Sequence, residues 1–203
     1  MLLRFSGLLL VLLGLGLGAV TALSDSDESA PPPAFTGPAM PENLPAHDFT
    51  LRDQQGRPFT LSEETRGRVV AMTFIHSKCT STCPVTLQTI RGALDELGPA
   101  RKDVDVLAVT VDPEADTPRS VRKFLAGQHV DGFVRYLTGP RAQMTKIWKT
   151  YGIAPQGKGQ EDHTAFVLLR DREGILRIGF PSHQMTPEDL ENDLRLLVAE
   201  KAS

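Results

Sequence analysis

An apolar run at residues 69–75, Val-Val-Ala-Met-Thr-Phe-Ile, leads within eight residues to the chain's only two cysteines, Cys79 and Cys83. Pro84 follows the second. The pattern predicts a buried strand that delivers two thiols into a loop, which the proline turns into a helix. A structural disulfide is the plainer alternative. Closing so short a loop would restrict the unfolded chain by only about 2 kcal/mol. A chain of 203 residues also buries a sufficient core without such staples. Redox or metal chemistry is therefore the expectation for the pair. The peptide N–H groups at the start of a helix favour a nearby thiolate. Lys78 would add a full positive charge if its side chain turned toward the sulfur.

The surrounding pattern alternates strands with helices. A hairpin is predicted at Phe49-Thr50-Leu51 and Pro58-Phe59-Thr60-Leu61, around Gln55-Gly56. After the strand at 68–75 comes a helix through Leu87, Ile90, Leu94 and Leu97, stopped by Gly98-Pro99. Val104, Val106, Ala108, Val109 and Val111 form the next strand, ended by Asp112-Pro113. Thr117-Pro118 start a helix carrying Val121, Phe124 and Leu125, with Asp116 and Thr117 read as capping residues. A strand at 133–137 precedes a helix through Met144, Ile147, Trp148 and Tyr151, stopped by Gly152. Strands at 165–169 and 175–180 flank the turn Asp171-Arg172-Glu173-Gly174. Thr186-Pro187-Glu188-Asp189 reads as a capping box opening the last helix. The order implies an α/β, thioredoxin-like fold: a central mixed sheet flanked by helices, with an added N-terminal β-hairpin.

The N-terminus differs from the rest. After Arg4, residues 7–22 consist only of Gly, Leu, Val, Ala and Thr. Residues 1–23 read as an export signal or as a retained membrane anchor, being just long enough to span a bilayer. Both place the folded part outside a bacterial cytoplasm, in the periplasm or anchored to the inner membrane. Residues 24–46, with an acidic serine stretch and six prolines between 31 and 45, read as an extended linker. The domain proper then runs over 47–203. The formal net charge of −3, with no basic patch, argues against nucleic acid as a partner.

The chain resembles the Sco/SenC family from about His47 to Phe180. The matching pieces are Asp48-Phe49-Thr50-Leu51 with Gly56-Arg57-Pro58, the Cys79–Cys83-Pro84 motif, Val111-Asp112-Pro113-Glu114 with Asp116-Thr117-Pro118, and Asp162-His163-Thr164-Ala165-Phe166. The resemblance implies exported thioredoxin-like proteins that assemble the copper centre of cytochrome c oxidase. It differs in three places. Thr80, Ser81 and Thr82 stand where the family usually has an Asp in the dithiol loop. His76 stands near a common aromatic position, and Thr164 follows His163 where Ser is commoner.

The resemblance makes Cys79, Cys83 and His163 the metal ligands. In a thioredoxin-like fold the loop entering the final hairpin faces the dithiol, and His163 lies three residues before Phe166. Two thiolates and one imidazole suit Cu(I), and Cu(II) with a further donor. Zinc would accept the same atoms but generally asks for a fourth. His76 is read chiefly as a strand-end residue, with alternative ligand or supporting donor left open. Asp112 either tunes the thiols, meets a partner, or simply starts a turn. His47, His129 and His183 carry no supporting constellation.

Two functions of different classes follow. One is a metallochaperone that delivers copper to the binuclear site of the copper-receiving oxidase subunit, with a dithiol that a disulfide would switch off. Its partners would extend to other copper chaperones or thiol reductants. The other is a thiol–disulfide oxidoreductase acting on a copper-receiving protein, with Cys79 attacking and Cys83 resolving. A third, peroxidatic reading rests on Thr80 preceding Cys83 by three residues; His76 occupies the place of the proline that chemistry expects.

Overall fold

The computed structural model describes residues 34–153 and 166–200. A two-stranded antiparallel hairpin, β1 (Thr50–Arg52) and β2 (Pro58–Thr60), comes first. A short helix, α1 (Leu61–Glu64), follows where the sequence shows only a polar stretch. The central sheet is built from β3 (Val69–Ile75), β4 (Val104–Thr110), β5 (Val134–Leu137), β6 (Phe166–Arg170) and β7 (Leu176–Pro181). Its five strands lie in the order β5-β4-β3-β6-β7. β3, β4 and β5 pair in parallel, while β6 and β7 run antiparallel. This is the mixed sheet of a thioredoxin-like fold.

All seven residues of β3 are buried, because the strand is central and both of its faces are covered. Its alternate residues serve two cores. Val69, Ala71 and Ile75 pack with α2 (Thr82–Leu97), α3 (Pro118–Gly127) and α5 (Pro187–Ala199). Val70, Met72 and Phe74 pack with α4 (Arg141–Thr150) and the hairpin. On α2, Leu87, Ile90, Leu94 and Leu97 are buried, the face that helical spacing predicts. Gly98, at φ 61°, ends that helix in a conformation that disfavours side chains.

Three N-terminal details shape the site. Helix α2 starts at Thr82, two residues before Pro84, since a first-turn residue has no intrahelical partner for an N–H. Cys83 therefore lies inside the first turn. Thr117 caps α3 by accepting from the Ser120 N–H at 3.2 Å. Asp116 does not cap that helix; it points into the protein.

Residues 34–46, assigned to the linker by their prolines, lie along the edge of β7. Ala39 and Pro45 form bridges to Ile178 and Ile175, and the Gly179 N–H donates to the Pro38 carbonyl at 2.9 Å. Proline lacks an N–H but keeps its carbonyl, so a proline-rich strand can still cap a sheet edge. Asp193, fully buried on α5, accepts from the Thr36 and Gly37 N–H groups at 2.7 and 2.9 Å. Residues 1–23, the candidate signal or anchor, lie outside the described residues. Among the described residues no helix is long and apolar enough to cross a membrane.

Candidate metal centre

The dithiol loop leaves the sheet where β3 ends. The Ile75 carbonyl accepts from the Val111 N–H at 2.9 Å and from the Tyr136 hydroxyl at 3.2 Å. These bonds fix the point from which His76 departs. The Cys79 N–H donates to the His76 carbonyl at 3.2 Å, closing a tight turn. The loop then enters α2, and the Cys83 N–H donates to Cys79 Sγ at 3.3 Å. A 3.9 Å approach links the same sulfur to the Ser81 hydroxyl.

The two thiols are unequal in burial. Cys79 is half-buried, and burial alone would raise its pKa. Hydrogen bonds from the Cys83 thiol, from the Cys83 and Ser81 N–H groups and from the Ser81 hydroxyl outweigh burial and lower it. This is the helix-start effect expected from the sequence, supplied by N–H groups rather than by Lys78, which is exposed. Cys83 is fully buried, and burial pushes its thiol well up. The neighbouring Cys79 sulfur and the Asp116 charge push the same way, against an opposing bond from the His76 backbone. A buried, reluctantly ionised Cys83 is a poor match for a peroxidatic thiolate.

His76 joins the pair. One of its ring nitrogens and the two sulfurs all lie within 4.8 Å of one another. The strand-end reading therefore gives way to a place beside the thiols. Two ligands at about 2.3 Å from one ion, at a tetrahedral angle, stand about 3.8 Å apart. The observed spacing is thus a modest rotamer change from a coordination shell. The donor set is soft and imidazole-containing, and so suits copper. His163, predicted as the imidazole ligand, lies outside the described residues, as do Asp162 and Thr164.

Asp116 is the residue that the sequence misread. Its carboxylate is buried between β3, β4 and β5, and accepts from the Ser77 N–H at 2.8 Å. It also accepts from the Thr110 and Tyr136 hydroxyls, both at 2.5 Å. It thereby ties the dithiol loop to the sheet. The signal available in sequence was a buried-strand tyrosine and threonine that both needed an acceptor. Asp112 does start the turn after β4, with its carbonyl accepting from the Asp116 N–H at 3.0 Å. Arg141 reaches its carboxylate only at 4.0 Å and pairs with Glu114 instead.

A family model described as SCO1/SenC matches residues 39–199. The chain belongs to the SCO1/SenC family. It is 26% identical over 163 residues to the SCO1 protein homolog of Bacillus subtilis, covering 76% of this chain and 83% of that one. It is similar to the structure of Bradyrhizobium japonicum ScoI with copper bound, at 29% identity and a TM-score of 0.63, covering 76% of this chain and 99% of that one. BsSco, described as a member of the Sco family of cytochrome c oxidase assembly proteins, aligns with a TM-score of 0.66 over 79% of this chain and 97% of its own. Its 24% identity supports the shared fold alone.

Proposed function

We propose that this SCO1/SenC protein carries copper on Cys79 and Cys83 with an imidazole, and passes it to the oxidase subunit that holds the binuclear copper site. The observation that carries the reading is the adjacency of two sulfurs and a ring nitrogen, all within 4.8 Å of one another. The resemblance adds His163 as an imidazole ligand. Copper is the cargo. The copper-bound relative supports its choice, as does the preference of Cu(I) for thiolates.

The residues divide the task. Cys79, with its lowered pKa, is the more readily ionised sulfur and meets the incoming metal first. Cys83 gives up its proton as it ligates, so loading releases a proton and weakens as pH falls. Release to a partner runs by stepwise exchange, each protein thiolate or imidazole yielding to one from the acceptor. Oxidation of both thiols to the Cys79–Cys83 disulfide, with loss of two protons and two electrons, removes the sulfur ligands and switches loading off. Export to the bacterial envelope, with residues 1–23 as signal or anchor, would place this exchange beside the oxidase.

Anaerobic Cu(I) titration of the reduced full chain in detergent, with X-ray absorption of the product, tests the reading. One tightly held copper with two sulfurs and at least one imidazole is expected. Copper bound without sulfur, or none bound, would end it.

The inequality of the thiols favours a second reading, a thiol–disulfide oxidoreductase acting on a copper-receiving protein. The Cys79 thiolate would attack a partner disulfide to form a mixed disulfide and release one partner thiolate. Cys83, once deprotonated, would then displace the other. Replacing both His76 and His163 separates the two: copper loading falls, while reduction of a disulfide substrate persists.

A further inference from the structure

We propose that His76 is itself a copper ligand, so that one short stretch of chain, residues 76–83, supplies a complete two-sulfur, one-nitrogen site. The inference deepens the copper-carrier reading and rests on it. It assigns a donor that the family resemblance does not supply, because that resemblance puts an aromatic residue near this position and places the imidazole at His163.

Four observations carry it. A ring nitrogen of His76 lies within 4.8 Å of both sulfurs. His76 is half-buried, and its Nδ1 is shielded from solvent. Its backbone is held on both sides: Ile75 by Val111 and Tyr136, and Ser77 by Asp116. The carbonyl of His76 also receives the Cys79 N–H, at 3.2 Å. The donors are therefore held together before any metal arrives, which reduces the ordering that binding must impose.

A shell with thiolates at about 2.3 Å and imidazole at about 2.0 Å has donors about 3.5–3.8 Å apart. Closing from spacings of no more than 4.8 Å asks for at most about 1 Å of side-chain movement, within reach of small χ changes at three residues. Three donors of this kind complete a trigonal shell for Cu(I). Adding the imidazole that the family resemblance assigns to His163 would make the set two sulfurs and two nitrogens. That fourth donor is what a tetrahedral or Cu(II) site asks for.

The test is an anaerobic Cu(I) competition titration of the reduced full chain. It compares the wild type with His76→Phe, His76→Gln, His163→Ala and the His76→Phe/His163→Ala pair. X-ray absorption counts nitrogen and sulfur neighbours for each. His163→Ala is expected to keep one copper with two sulfurs and one imidazole. Each His76 variant should bind at least about tenfold more weakly, since even supporting groups around a metal are worth that much. Each should also lose one imidazole from the shell. The double variant should lose all imidazole while retaining sulfur. If both His76 variants match the wild type in affinity and nitrogen count, or if His163→Ala binds copper with no imidazole, the inference is overturned and the copper-carrier reading stands. A wild type that binds no copper overturns the carrier reading itself.

Discussion

Asp116→Ala should weaken both the fold and the site, and the structure sets the size of each effect. The carboxylate accepts two buried hydrogen bonds, from Thr110 and Tyr136, and a part-buried one from the Ser77 N–H. Tyr136 retains the Ile75 carbonyl at 3.2 Å, so two donors are left without their acceptor. A buried donor without a partner costs about 1–3 kcal/mol. Removing a buried charge returns part of this. The expected net loss is about 3 kcal/mol, equivalent to roughly 6–12 °C in Tm for a domain of this size. Asp116→Asn keeps an acceptor oxygen and should cost about half as much. Freed from its tie, the Ser77 N–H no longer fixes the loop, and Cu(I) affinity should fall by about 10–100-fold. Urea unfolding gives the first quantity, and competition against a Cu(I) chelator gives the second. An Asp116→Ala protein within about 0.5 kcal/mol of the wild type would refute the hydrogen-bond argument. One that is destabilised but binds copper unchanged would refute the coupling of this carboxylate to the dithiol.

Three further outcomes follow from other parts of the structure. The lowered pKa of Cys79 means that iodoacetamide should modify it at pH values where an ordinary thiol is still protonated, while buried Cys83 resists; peptide mapping of the modified chain across pH checks this. Gly37→Ala would place a Cβ 2.4 Å from Ile178 Cγ2, so a loss of about 1–3 kcal/mol and easier proteolysis within 34–46 are expected. Burial would raise the Asp53 pKa, but hydrogen bonds from Arg57 and Gln55 outweigh it and hold the value below its unfolded 3.8. The stability this group contributes is therefore present above that pH and lost as pH falls through the folded value. Asp53→Asn should be less stable than the wild type near neutral pH, with the gap closing in acid, as denaturant titrations at several pH values would show.

The fold was legible because its signals are local. The apolar run of β3, the helical spacing of Leu87, Ile90, Leu94 and Leu97, and the Thr117 and Thr186 caps all appear where their residues predict. The dithiol was legible for the same reason, its two cysteines being only four positions apart in the chain. What escaped depends on three-dimensional proximity. The prolines of 34–46 concealed a strand-like cap, because composition does not reveal an edge waiting at β7. Asp116 precedes a helix and looks like a cap, yet its partners come from β4, β5 and the dithiol loop. His76 looks like a strand end because spacing along the chain does not say where the turn at Cys79 sends the imidazole.

Counting copper on the dithiol in its two redox states tests the central claim most directly. Native mass spectrometry of the full chain, exposed to Cu(I) without oxygen, should find one copper on the dithiol form and none on the Cys79–Cys83 disulfide form. Equal loading of both forms, or undiminished loading of a Cys79→Ser/Cys83→Ser chain, would contradict it.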